Sequence, residues 1–266
     1  MNTQHRTLGR PSGAGTIAKA LDVLDLVADM DRPVRFSELL ARSEHPKATL
    51  YRLVQSLTHT GMLRYDAATQ TYAPGLRLVR LAHAAWRQSS LAPIARPFID
   101  ALSAKLGETV HLAQMEAGQV IYVDKRNAAD PIEMFSQAGK IGPGYCTGVG
   151  KAIMAHLPAD ARTHAIAQQS FFAHTPATLT TPAALARELD QIAARGISFD
   201  REEHERGIIC IAVPIIGAGA RVLGGLSVTT ATNRKLLDDL ATFEPDLRTC
   251  ASSISEAAST WQFPSE

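Results

Sequence analysis

The sequence predicts an α+β protein with an N-terminal winged helix-turn-helix domain, a linker helix and a C-terminal α+β sensor-like domain. Three observations carry that expectation. Residues 16–60 hold three amphipathic helical stretches, with a tight connection before the third. Residues 62–75 alternate apolar and polar around a polar turn, as a short hairpin does. Beyond residue 107, strand-like runs paired across short turns are interleaved with helices, unlike the regular alternation of a parallel βαβ array.

Length and composition set the frame. The chain has 266 residues, 45% hydrophobic and 20% charged, enough to bury a core in one large or two modest domains. No window approaches the ~18 uninterrupted apolar residues of a membrane span, so no membrane partner is expected. The N-terminus MNTQHRTLGRPSGAG is positive but has no apolar stretch behind it, unlike a secretory signal. Three cysteines, Cys146, Cys210 and Cys250, lack a paired spacing and suit a reducing cytoplasm. The net charge of +1 hides an asymmetry. Residues 1–90 carry 12 Lys and Arg against 7 Asp and Glu, whereas residues 91–266 carry 15 against 19. A basic front joined to an acidic rear suggests that the front meets a polyanion.

The first 15 residues, with Arg6, Arg10 and Pro11, read as a disordered basic arm. A winged helix-turn-helix follows over 16–75. Its first helix places Ile17, Ala20, Leu21, Leu24 and Val27 or Ala28 on one face, with Thr16 as a candidate N-cap. Pro33 ends that helix, and Val34 to Phe36 suit a short strand. Ser37 is a candidate cap for a second helix burying Leu39 and Leu40. The third helix follows His45-Pro46, with Leu50, Leu53, Val54 and Leu57 inward and Gly61 as its stop. Its outer positions Lys47, Ala48, Thr49, Tyr51, Arg52 and Ser56 can meet phosphates and base edges if the helix enters a major groove. Exposed Lys and Arg also serve solubility alone, and three-helix units often bind nothing.

Residues 76–90, with Leu76, Leu78, Val79, Leu81 and Trp86, form an amphipathic helix suited to linking domains or to a dimer contact. The second domain is expected over 91–266. Pro93 to Leu106 reads as a helix ending at Gly107, and TVHLAQME and QVIYVDKR as strands joined by Ala117-Gly118. PIEMFSQAG is a third strand candidate. After the bend GPGYCTGVG come helices from about Lys151 to Leu157, over 158–169 and over 182–195. IICIAVPII and RVLGGLSVTT are long strands, and Lys235 to Trp261 is helical.

The glycine-rich bend is not a nucleotide loop. Counting from Gly144, a Walker A pattern needs glycine where Val149 stands, and Ala152 follows Lys151 where a hydroxyl is required. A bend opening a helix does leave amides pointing outward, a ready site for a small anion such as a carboxylate. A bare, tightly packed turn is the alternative. Further on, Asp200, Arg201, Glu202, Glu203, His204, Glu205 and Arg206 stand in consecutive positions ahead of an apolar strand. Paired carboxylates, a His204–Cys210 nucleophile pair, or Asp200, His204 and Cys210 as metal ligands would each be chemically possible. None has a diagnostic spacing. A solvated loop feeding a buried strand is the plainer reading.

Three stretches together are more specific: TGVGKAIMAHL at 147–157, GISFDREEHERGIICIAVP at 196–214, and the later LSVTTATNR. Their spacing D-x-E-E-x-x-x-G-x-x-C-x-A resembles the C-terminal signature of the isocitrate lyase regulator (IclR) family. The likeness runs from about residue 16 to 262, with the winged helix where that family has its own. It implies a cytoplasmic transcription factor that is not an enzyme and holds no cofactor or metal. Its GAF-like effector-binding domain would control a reader acting as a homodimer or homotetramer (a dimer of dimers) on palindromic double-stranded DNA. The resemblance also implies an effector pocket. Ser227 and Thr229, two apart on the last strand, would form its floor with Cys210 beside them. Asp200 would stand at the rim, amides near Gly148 and Val149 would bind a carboxylate, and Met134 and Ile208 would be apolar walls. Gly142 stands where the family has leucine, which would widen the pocket. Such a site suits a small 2-oxo acid, glyoxylate or pyruvate, with Asp200 accepting from a ligand hydroxyl or hydrate. An enzyme, or a module signalling to a protein partner, are the competing classes; the latter leaves the basic third helix without a purpose.

Overall fold

The computed structural model describes residues 15–89, 91–128, 130, 134 and 136–259, the side chains of 86–89 excepted. The arm expected over 1–15 (Gly15 aside), the Trp86 side chain and Trp261 lie outside the described residues. The chain divides into two compact units between Ala85 and Trp86.

The N-terminal unit runs α1 (Thr16–Ala28), β1 (Val34–Arg35), α2 (Phe36–Arg42), α3 (Lys47–His59), β2 (Leu63–Asp66), β3 (Thr71–Pro74) and α4 (Leu76–Ser89), which crosses the division. The strands form an antiparallel sheet in the order β1-β3-β2, so the wing is anchored to the segment before α2. Its core joins Val23, Leu24 and Val27 of α1 to Leu39 of α2, the four expected residues of α3, and Leu63 and Tyr72 of the wing. Leu40 is only partly buried.

Two local expectations fail here. Ile17 and Leu21 are 79% and 53% exposed, and Ala20, Val23, Leu24 and Val27 form the inward stripe instead. The apolar arc of α1 is wider than one face, and packing against α3 chose between its edges. Neither expected cap serves as one. Thr16 is the first helical residue, after Gly15. Ser37 lies inside α2, where the Glu38 carboxylate accepts the Arg35 amide at 2.9 Å and pairs with Arg32. At the start of α4, Arg77 donates to the Thr60 carbonyl at 2.8 Å and Leu78 packs on the core, but Leu76, Val79 and Leu81 are exposed.

The C-terminal unit holds α5 (Ala92–Leu106), β4 (Thr109–Glu116), β5 (Gln119–Arg126), β6 (Ile141–Pro143), α6 (Gly148–Ala155), α7 (Ala159–Ala167) and α8 (Pro182–Arg195). It continues with β7 (Ser198–Arg201), β8 (Ile208–Ile216), β9 (Val222–Ala231), α9 (Leu237–Ala241) and α10 (Glu244–Ala258). Its six strands form one antiparallel sheet, β6-β5-β4-β9-β8-β7. Alternation along the central strands divides them between two layers. Val110, Leu112, Ile209, Ile211, Leu226 and Val228 pack with Ile99 and Leu102 of α5 and Leu247 and Ile254 of α10. Each such buried side chain contributes about 1.5–3 kcal/mol of transfer free energy. The other layer receives His111, Ala113, Cys210, Ala212, Ser227 and Thr229. There Ala113 and Ala212 pack with Val149 and Ala152 of α6.

Several elements differ from expectation. The described residues of 131–139 form no strand, and β6 begins only at Ile141. Helix α6 starts at Gly148, three residues before the expected Lys151. The short β7 pairs with β8 although its sequence, SFDR, is half polar. The tail is two helices, with Pro245 in the first turn of α10, where its missing N–H costs nothing. No described helix is long and apolar enough to cross a membrane.

Candidate functional site

Between the sheet and the start of α6 lies a cavity of about 430 Å³, open solvent at its mouth included. Met134, Gly148, Val149, Asp200, Ile208, Cys210, Ser227 and Thr229, all eight positions expected of a pocket, line it. His204 and Glu205 of the charged segment line it too. Gly142 does not: it pairs with Val120 on the outer strand β6. Four lining residues were missed, namely His111, Tyr122, Ser136 and Thr147. Of these, His111 carried a signal, being a polar residue inside the apolar run of TVHLAQME.

Neighbouring strands build the floor. Ser227 stands opposite His111 on β4 and Ala212 on β8, and Thr229 opposite Thr109 and Cys210. His111 Nε2 lies 2.7 Å from the Ser136 hydroxyl, and its Nδ1 lies 3.2 Å from the Thr229 hydroxyl. Burial first, and then Lys125, lowers the His111 pKa to about 3, so its ring is neutral. Burial raises the Tyr122 phenol, whose ring lies 5.4 Å from that of His111.

The wall is the first turn of α6. Its helical ladder begins with Lys151 N–H donating to the Thr147 carbonyl at 3.0 Å, so the Gly148, Val149 and Gly150 amides precede it. The Thr147 side chain at the N-cap makes no bond to them; its hydroxyl donates to the Pro143 carbonyl at 2.8 Å. Two glycines permit this approach. A Cβ on Gly148 would sit 2.3 Å from the Cys210 sulfur, and one on Gly150 would sit 2.3 Å from the Gly144 carbonyl oxygen. The Gly148 and Asp200 amides both hydrogen-bond the Cys210 sulfur.

Asp200 is not at the rim. Its side chain is inside, at 7% residue exposure, and its carboxylate accepts the Glu203 amide at 2.8 Å. Burial first, and then the Glu203 carboxylate, pushes its pKa up to about 7. The 202–207 turn draws it inward. Glu203 is ion-paired to Lys151 of α6, both buried, and the Thr175 and Thr178 hydroxyls donate to the Glu202 and Glu203 carbonyls at 2.7 and 2.6 Å. The chemistry open to His204 and Cys210 is limited by the same burial. The Cys210 thiol is pushed well up, by burial and then by Asp200, while burial lowers His204 to about 4. Thiol and neutral imidazole do not make an activated nucleophile pair. Among the described residues, no three His, Cys, Asp or Glu side chains cluster closely enough to hold a metal ion.

On the N-terminal unit, Lys47, Ala48, Tyr51, Arg52 and Ser56 are exposed along one side of α3, and Thr49 is half-buried. The Tyr51 and Phe36 rings meet edge to face at 5.8 Å between centroids, which steadies Tyr51 on that surface.

A winged helix ahead of a helix-covered sheet with a buried polar cavity defines a DNA-binding regulator with a small-molecule sensor. The IclR helix-turn-helix domain model matches residues 16–67, and the model of the bacterial transcriptional regulator IclR C-terminal domain matches residues 83–256. The chain belongs to the IclR family, as a ligand-responsive transcriptional regulator and not an enzyme. It is 32% identical over 247 residues to the HTH-type transcriptional regulator BhcR of Paracoccus denitrificans, covering 88% of each chain. The crystal structure of the Thermotoga maritima IclR is similar at a TM-score of 0.75 and 27% identity, over 92% of this chain and 98% of that one. An IclR homologue of Microbacterium hydrocarbonoxydans, complexed with 4-hydroxybenzoate, shares the fold at a TM-score of 0.76 and 20% identity, over 91% and 98% of the two chains.

Proposed function

We propose that this regulator senses a small 2-oxo acid such as glyoxylate or pyruvate in its C-terminal cavity and reads a palindromic operator with Lys47, Ala48, Thr49, Tyr51 and Arg52. The observation that carries the reading is that Ser227, Thr229, the helix start at Gly148 and Val149, and the buried Asp200 all line one cavity. An amide at the helix start, that of Val149, and the Ser227 hydroxyl favour a carboxylate, which leaves the Thr229 hydroxyl for the ligand oxygen at position 2. Asp200, with a pKa near 7, is partly protonated at neutrality and donates to a ligand oxygen; ionised, it accepts from a hydroxyl or hydrate. Affinity for the acid anion therefore falls as pH rises through about 7. Met134 and Ile208 wall off the apolar end.

A winged helix reads one half-site, so a palindrome calls for two copies. Ile17 and Leu21 of α1 and Leu76, Val79 and Leu81 of α4 leave apolar surface that a second copy covers, giving a dimer or a dimer of dimers. Sedimentation tests this: a species of 28.6 kDa at working concentration contradicts it. DNA binding puts the site of action in the cytoplasm. The decisive experiment titrates glyoxylate, pyruvate and 4-hydroxybenzoate into the protein by calorimetry. It is paired with gel shifts on the DNA upstream of the protein's own gene, with and without each acid. Tight binding of 4-hydroxybenzoate alone would replace the 2-oxo acid with an aromatic one.

A further inference from the structure

We propose that His111 sets the hydrogen-bond polarity of the cavity floor. The ring nitrogen that carries its proton decides whether the Thr229 hydroxyl donates to a ligand oxo oxygen or accepts from a ligand hydroxyl. The inference rests on the 2-oxo acid reading above and names the group by which the same site admits both a 2-oxo acid and its 2-hydroxy counterpart.

The geometry is a chain of three groups. Thr229 Oγ1 lies 3.2 Å from His111 Nδ1, and Ser136 Oγ lies 2.7 Å from His111 Nε2. His111 is 2% exposed and Thr229 6%, so bulk water does not compete for these bonds. A neutral imidazole has one donor and one acceptor nitrogen, and each hydroxyl has one proton and two lone pairs. The chain therefore has two self-consistent states. In one, Nδ1–H donates to Thr229, Ser136 donates to Nε2, and the Thr229 proton turns into the cavity. In the other, Thr229 donates to Nδ1, Nε2–H donates to Ser136, and Thr229 offers the cavity only lone pairs.

A carboxylate or an ammonium at position 111 would fix one polarity, since the first only accepts and the second only donates. An imidazole held by a hydroxyl on each side does not, because rotating two hydroxyls and moving one ring proton converts one state into the other. Burial keeps the ring neutral, which is what leaves both states available. The far end of the chain is anchored as well, since Lys125 donates to the Ser136 carbonyl at 2.8 Å. Ser136 thus stays on the ring in either state.

The test uses the full-length protein with ¹⁵N-labelled histidine, saturated with pyruvate or with L-lactate, and reads the His111 ring nitrogens by two-bond ¹H–¹⁵N spectra. Nδ1 is expected to carry the proton with pyruvate and Nε2 with lactate. Thr229→Val, which keeps the shape and removes the hydroxyl, is expected to give one tautomer with both acids. Calorimetry on the wild type is expected to give affinities for the two acids within roughly tenfold, and His111→Phe to move their ratio by about tenfold, the effect of one hydrogen bond. If both acids bind and the same nitrogen is protonated in each complex, the role of His111 is overturned while the 2-oxo acid reading stands. If one acid binds more than tenfold tighter than the other, the role is likewise overturned. If neither acid binds, the 2-oxo acid reading fails and takes this inference with it.

Discussion

The two units handle their polar groups in opposite ways. On α3 the charges of Lys47 and Arg52 stand in water, whereas in the C-terminal unit Asp200, Glu203, Lys151 and His111 are all 7% exposed or less. An exposed cation acts at a distance and is screened by salt. A buried group instead needs a partner or changes its protonation state. The C-terminal unit contains both solutions, with Lys151 and Glu203 ion-paired and Asp200 and His111 of the cavity shifted towards their neutral forms. The N-terminal unit should therefore respond to ionic strength and the C-terminal unit to pH. Four experiments can break or sharpen that contrast.

The largest effect is expected at the buried ion pair. Lys151→Ala strands the Glu203 carboxylate, one oxygen of which already lacks a hydrogen-bond partner. Urea unfolding should show a loss of about 3–5 kcal/mol, and pairing Lys151→Met with Glu203→Leu should recover most of it. A loss below about 1 kcal/mol, as exposed pairs show, would place this pair with the surface charges.

Next comes the cavity floor. Ser227→Ala removes a donor to a charged acceptor, contributing about 1.5–3 kcal/mol, so 2-oxo acid affinity should fall roughly ten- to a hundredfold. Operator affinity without ligand should not change. Unaltered calorimetric affinity means that Ser227 only packs in its strand.

The third concerns Asp200. Because its pKa is raised to about 7 from 3.8, the folded state holds this proton more tightly, and its contribution to stability is lost as pH rises between those values. His111 and His204, lowered to about 3 and about 4 from 6.5, act oppositely, and their contributions are lost as pH falls from 6.5 towards those lower values. Asp200→Asn removes only the contribution of Asp200. Measured against wild type, the variant should gain about 1.4 kcal/mol per pH unit between pH 4 and 7. A difference that is flat with pH would mean that the carboxyl sits in water after all.

The smallest effect belongs to the exposed charges. Lys47→Ala and Arg52→Ala should each weaken operator binding by at least ~1 kcal/mol, and a lost phosphate contact should reduce the salt slope by about one. Effector affinity should stay the same. If both variants bind the operator as wild type does, α3 is not the reading surface.

Legibility in the sequence followed the same division. The inward face of α3 was readable because Leu50, Leu53, Val54 and Leu57 keep strict helical spacing. The hairpin of β4 and β5 was readable from two alternating runs around Ala117-Gly118. The eight positions that resemblance assigned to a pocket all line one cavity, because strand alternation and the start of α6 bring separated segments together. The inward stripe of α1, the short β7 and the break between α9 and α10 were not readable. Each depends on a neighbour: α3 for the first, β8 for the second, and the sheet beneath for the third.

The family signature at 196–214 and the apolar periodicities were properties of the chain alone, and with them came the two-domain order and the kind of protein. Burial was decided by tertiary structure. Asp200 stands in a charged run that reads as solvated, yet the Lys151–Glu203 pair and the Thr175 and Thr178 hydroxyls fold its loop against α6 and bring it inside. His111, Ser136 and Thr229 come from three separate segments and meet only when β4 pairs with β9 and Ser136 comes to the far side of the His111 ring. A residue type fixes which protons a group can exchange. Whether it does so in water or in a dry cavity depends on side chains distant in sequence, and that sets its charge at neutral pH.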